Sequence, residues 1–142
     1  MYKTILLPID LSAPASWSKA LPTALHLGGE GMVLHVVTVL PDFGMSMVSG
    51  YFKDGFEKGA LKEVGSKLKD WVNANVPDAV EVHPHVMHGR IYDELLRAAD
   101  KLKVDAIVLS SHTPELADYL LGPNAARVVR HAKQSVFVVR GD

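Results

Sequence analysis

Lys3-Thr4-Ile5-Leu6-Leu7-Pro8-Ile9-Asp10 is a short apolar run closed by a proline and an acid. A strand buried on both faces of a parallel sheet reads this way. Behind it Trp17, Ala20, Leu21, Ala24 and Leu25 recur at helical spacing until Gly28-Gly29, where a left-handed cap costs least. The same unit then repeats along the chain. Met32 to Leu40 is a second apolar run, interrupted by His35 and Thr38 and closed by Pro41-Asp42. Val80, Val82, His83, His85 and Val86 predict a third strand. Ala106-Ile107-Val108-Leu109 predicts a fourth, and Val136 to Val139 a fifth.

Helical stripes fill the intervals. Leu61, Val64, Leu68, Trp71 and Val72 form one, ending before Pro77-Asp78, and Ile91, Leu95, Ala98 and Leu102 form another just after Gly89. Pro123 suits a first helical position, with Ala125, Val128, Val129 and Ala132 as the buried face behind it. Phe43 to Gly59 mixes four glycines with Met45, Met47, Tyr51, Phe52 and Phe56 without a clean period, and reads as a long irregular connection. Strands alternating with helices imply right-handed crossovers. The expected fold is α/β, a doubly wound five-stranded parallel sheet with helices on both faces, Rossmann-like or flavodoxin-like, forming a single domain over 1–142.

A chain of 142 residues can bury roughly two-thirds of its unfolded surface in one core. With 48% hydrophobic and 22% charged residues it has an ordinary globular composition. Fifteen Lys and Arg against sixteen Asp and Glu leave a formal charge of −1, so no broad cationic field invites nucleic acid. There is no cysteine, hence no disulfide, thiolate nucleophile or thiolate-bound metal. That usage suits a reducing compartment. The apolar start is too short for a signal-peptide core, and no run approaches the roughly 20 residues of a membrane span. The expectation is a cytoplasmic protein with neither membrane nor nucleic acid as partner.

In an open parallel sheet the ligand crevice lies beyond the carboxyl ends of the strands, where strand order reverses. Those ends are Pro8-Ile9-Asp10, Val36 to Thr38, Met87-His88-Gly89 and Leu109 to Thr113, joined by Gly122-Pro123-Asn124 at the last helix. No Walker A sequence is present, and the turn after the first strand lacks the glycines of a dinucleotide fingerprint. The segment from Leu109 to Ala125 leaves a buried strand, crosses a polar loop and enters a helix amino end first. Unpaired N–H groups and the positive dipole end there favour an anion such as phosphate. The same residues also describe a plain helix start with Gly122-Pro123 as punctuation.

Pro8-Ile9-Asp10, Val33-Leu34-His35-Val36-Val37, His88-Gly89 with Ile91, the run Gly122 to Ala132, and Ser135 to Arg140 together resemble the universal stress proteins over nearly the whole chain. In the nucleotide-binding branch of that family the fourth strand leads into G-x2-G-x9-G-[S/T]. Here Ser110 and Thr113 stand at the first two glycines, the loop is one residue shorter, and Pro123 replaces the last hydroxyl residue. Ser111-His112-Thr113-Pro114 followed by Tyr119-Leu120-Leu121-Gly122 is similar to a subgroup with S-H-x-P in place of the glycine pair.

The resemblance implies an ATP site, with magnesium as a companion and ADP or AMP as alternative ligands. It draws on Pro8, Ile9, Asp10, Val36, Gly89, Leu109, Ser110, Ser111, His112, Thr113, Gly122, Pro123, Asn124 and Ala125. Asp10 would contact the ribose or a magnesium-bound water; alternatively it caps the first helix with Ser12. Val36 would present its backbone to adenine. The resemblance further implies a homodimer through the edge strand Val136 to Arg140.

His83, His85 and His88 alternate with apolar residues and read as ordinary strand histidines rather than metal ligands, since neither carboxylate nor cysteine accompanies them in the pattern. No catalytic set is evident, so the expected function is stress-response regulation through nucleotide binding. A homodimeric interaction module that binds no nucleotide is the competing reading. Turnover has only fold analogy behind it.

Overall fold

The computed structural model describes residues 2–41, 54–111 and 123–140. The chain alternates strand and helix throughout: β1 Thr4–Pro8, α1 Ala20–Gly28, β2 Val33–Pro41, α2 Asp54–Asn75, β3 Glu81–Gly89, α3 Ile91–Lys101, β4 Ala106–Ser110, α4 Pro123–His131 and β5 Ser135–Val139. The strands form one sheet in the order β3-β2-β1-β4-β5, and every pairing is parallel. This is the doubly wound sheet expected from the strand and helix alternation.

Period-two alternation sends successive strand residues to opposite faces, and two clusters result. Ile5, Leu7, Ile9, Leu34, Val36, Ala106 and Val108 meet Ala20, Leu21 and Ala24 of α1 and Leu68, Trp71 and Val72 of α2. Leu6, Val37, Val39, Ile107 and Leu109 meet Ile91, Leu95, Ala98 and Ala99 of α3 and Ala125 and Val128 of α4. Each face thus carries two helices, and β1 and β4, buried throughout or nearly so, lie at the centre. Trp17 and Trp71 meet edge to face at 5.5 Å and tie the segment before α1 to α2.

Several boundaries differ from the sequence reading. The stripe of α1 was expected from Trp17, but Pro14–Ser16 form a 3-10 turn and the α-helix starts at Ala20. Its end is as expected, at Gly29 with φ 69° and its N–H donated to the Leu25 carbonyl. α2 begins at Asp54, inside what reads as irregular connection from Phe43 to Gly59. The rest of that connection lies outside the described residues. β3 runs through Pro84, which a strand tolerates at a sheet edge, and β3 is an edge here.

Gly89 closes β3 at φ 141°, and a Cβ there would stand 3.2 to 3.4 Å from Glu94 side-chain atoms. The backbone conformation therefore selects glycine at this turn into α3.

Candidate functional site

The sheet grows outward from β1 in both directions, to β2 and β3 on one side and to β4 and β5 on the other. The switch point is therefore between β1 and β4, where a ligand crevice is expected. β1 and β4 pair at Ile5 with Ala106 and at Leu6 with Ile107. On the other side β1 pairs with β2 as far as Pro8 opposite Val37, and the Ile9 N–H extends the ladder to the Val37 carbonyl at 2.8 Å. β2 continues alongside β3 to Pro41. Thr38 to Leu40 consequently form a ledge standing past the end of β1.

Asp10 sits just above the last turn of β1, half-buried, and its placement is built from short-range hydrogen bonds. Its Oδ1 accepts from the Ser12 N–H at 3.0 Å and from the Ser12 hydroxyl at 2.6 Å. Its backbone N–H donates to Ser16 Oγ at 2.9 Å, and the Ser16 hydroxyl donates back to the Asp10 carbonyl at 3.1 Å. This corrects the capping alternative: Asp10 and Ser12 close a local turn, whereas α1 starts after Lys19 with no side-chain cap. Among the described residues Oδ2 of Asp10 receives no hydrogen bond, so the carboxylate keeps acceptor capacity toward the crevice.

Ser16 is the residue that sequence reasoning missed. It is 1% exposed, and its carbonyl accepts the Ser110 hydroxyl at 2.9 Å, which ties the loop after β1 to the end of β4. A serine between Pro14-Ala15 and Trp17 carries no pattern that announces such a tie. Ser110 itself is 3% exposed and its hydroxyl is committed to that bond. Ser111 follows, with its N–H donated to the Val139 carbonyl at 2.8 Å.

The structure gathers Pro8, Ile9 and Asp10, the ledge beyond Val36, and Ser110 and Ser111 around the carboxyl ends of β1, β2 and β4. Val36 is fully buried, within the ladder opposite Leu7 and Pro84, and Leu109 is core. Gly89 ends the outermost strand, two strands away from β1. Pro123 is the first residue of α4, followed by half-buried Asn124 and by Ala125, whose side chain packs inward. His112, Thr113 and Gly122 lie outside the described residues.

The histidines are arranged differently from the reading of an isolated strand. His35 of β2 joins His83 and His85 of β3, while His88 takes the other face of β3 by alternation. A carboxylate does accompany them: Glu81 Oε2 lies 2.8 Å from His83 Nε2. Among the described residues no three His, Asp or Glu side chains converge as a metal centre.

Comparison with known proteins places this geometry in context. Residues 1–140 match the model of the universal stress protein family. The chain is 33% identical to universal stress protein G of Escherichia coli O157:H7 over 142 residues, covering 99% of this chain and all of that one. Among solved structures, hypothetical protein MJ0577 superposes with a TM-score of 0.79 at 23% identity, covering 100% of this chain and 98% of that chain. A universal stress protein family protein from Arabidopsis thaliana, solved with AMP bound, superposes with a TM-score of 0.65 at 14% identity, covering 99% of this chain and 92% of that chain.

Proposed function

This chain belongs to the universal stress protein family, and we propose that it serves as a cytoplasmic stress-response regulator that binds an adenine nucleotide in the crevice between β1 and β4. The observation that carries this reading is the switch point itself. There Asp10, its carboxylate held by Ser12 and its backbone by Ser16, stands at the carboxyl end of β1 between β2 and β4. A relative of the same fold holds AMP. No helix among the described residues is long and apolar enough to cross a membrane.

In this reading Asp10 Oδ2 accepts a ribose hydroxyl or a magnesium-bound water, and the strand ends near Val36 receive adenine. The phosphates approach Ser111, His112 and the segment Gly122 to Ala125. Magnesium, when bound, would neutralise phosphate charge. The chain's own part is to position and to exclude water; binding, not turnover, is its task.

The proposal is tested by calorimetric titration with ATP, ADP and AMP. Pro123→Ser is expected to tighten ATP binding by about 1 kcal/mol, because it returns a hydroxyl and an N–H to the start of α4. Unchanged or weaker affinity in the folded variant would show that Pro123 does not limit binding.

Homodimerisation through β5 is a second part of the proposal, and it is favoured by the edge position of that strand. Phe137 and Val139 both pack inward, Phe137 edge to face on Tyr2 at 5.3 Å. Val138, 39% exposed, is the side chain left to meet a twofold copy. Sedimentation at micromolar concentration should give twice the monomer mass, and Val138→Lys should return the monomer. A monomeric wild-type chain removes the interface.

A further inference from the structure

We propose that His35, His83 and His85 form a proton-operated latch on the edge of the sheet, holding β3 against β2 while the imidazoles are neutral and loosening it when they charge. The three rings share one face of the two strands, because His35 lies directly opposite His83 in the register and His85 follows at the next position on that face. His35 Nδ1 and His85 Nε2 are 2.9 Å apart, and the ring centroids of His35 lie 5.3 Å from His83 and 5.1 Å from His85.

The proton count decides what this contact tolerates. A hydrogen bond between two imidazole nitrogens needs one N–H and one lone pair. A first added proton can settle on a nitrogen outside the bond and leave the bond intact. A second puts an N–H on the accepting nitrogen as well, so two donors face each other and the cross-strand bond is lost. Charge on His83 adds repulsion to the same stack. Among the described residues β3 is the edge strand, and no further strand holds it in place when this happens.

Among the described residues the surroundings offer little to offset that charge: Glu81 alone pulls His35 upward, and no acid acts on His85. Glu81 is the acid that acts on His35, and it already pairs with His83. β1 offers Leu6 opposite His35. α3 packs across β2 and β3 and carries Tyr92, Asp93, Glu94, Arg97, Asp100 and Lys101. Of these, Glu94 pairs with Arg97 at 3.0 Å, Tyr92 lies under the Arg127 guanidinium, and Asp100 accepts from Gln134. α2 and its charges pack on the opposite face of the sheet.

Burial, then His85 and His83, hold His35 below the usual imidazole range against a weaker upward pull from Glu81; burial, then His83, does the same to His85. The sign follows. The unfolded chain takes up protons at its ordinary value, about 6.5, before the folded one does. The latch therefore contributes fully above that value. Its contribution declines as pH falls below it, and levels off once the folded-state values are passed.

The test is NMR on the full chain. Histidine ring titrations should give midpoints below about 6.5 for His35 and His85. Amide protection in β3, corrected for intrinsic exchange and measured against Ile107 and Val108 of β4, should fall severalfold between about pH 7.5 and about pH 5. His85→Gln keeps a hydrogen-bonding side chain without titrating and should remove that pH dependence. Midpoints at or above the ordinary value in the wild-type chain would overturn the proposal, whether or not the variant folds. So would an equal loss of β3 protection in a folded His85→Gln.

Discussion

Ile107→Ala is expected to lower unfolding free energy by about 2–5 kcal/mol, measured as a shift of the denaturant midpoint at unchanged slope. Ile107 is fully buried on β4, paired with Leu6 of β1 on one side and Val136 of β5 on the other. Its side chain belongs to the cluster in which Leu6, Val37 and Leu109 meet Leu95 of α3 and Val128 of α4. Strands on both sides and helices above restrict collapse into the space left by the lost carbons, so the cavity term adds to the transfer term. Val129→Ala is the matched control. Val129, expected on the buried face of α4, is instead 50% exposed, and alanine is the better helix former, so that change should stay within about 0.5 kcal/mol. Equal effects at the two positions would refute the assignment of the core.

Ser16→Ala is expected to cost about 1–3 kcal/mol of stability and to weaken ATP binding in step. Its hydroxyl both accepts from the Asp10 N–H and donates to the Asp10 carbonyl, so alanine strands the Asp10 N–H in a half-buried turn, while the Asp10 carbonyl keeps the Ala13 N–H at 2.9 Å. The Ser110 bond goes to the Ser16 backbone and survives the change. What is lost is the hold on Asp10. Ser12→Ala, which removes a more exposed bond to the Asp10 carboxylate, should cost less. A Ser16→Ala chain with wild-type stability and affinity would show that the loop after β1 is not organised by this serine.

The buried strands were legible because their residues are apolar on both faces, as at Ile5-Leu6-Leu7 and Ala106-Ile107-Val108-Leu109, and a helix cannot hide that many consecutive apolar side chains in a thin layer. The start of α2 was not. Gly55 and Gly59 lower local helix propensity, and the apolar stripe begins only at Leu61, so Asp54 to Gly59 reads as loop. α1 lost its first turn for the opposite reason. Trp17 sits at helical spacing from Leu21, yet Pro14 sets a 3-10 turn that places Trp17 against Trp71 before the α-helix begins.

The site was legible as a list of strand ends, because parallel sheets put ligands there whatever the sequence. Its internal wiring was not. The Ser16 to Ser110 tie joins residues 94 positions apart. The contact of His35 with His83 and His85 required the register of β2 on β3, which one strand's periodicity does not contain.

The claim that an adenine nucleotide occupies the crevice between β1 and β4 is tested most directly by titrating ATP, with and without magnesium, into isotopically labelled protein and following the backbone amides. The account predicts saturable shifts concentrated at Ile9, Asp10, Thr38, Ser111, Asn124 and Ala125, with the amino ends of the strands, such as Thr4 and Ala106, unmoved. Absence of shifts at millimolar ATP, or shifts confined to the amino ends or to β5, would contradict it.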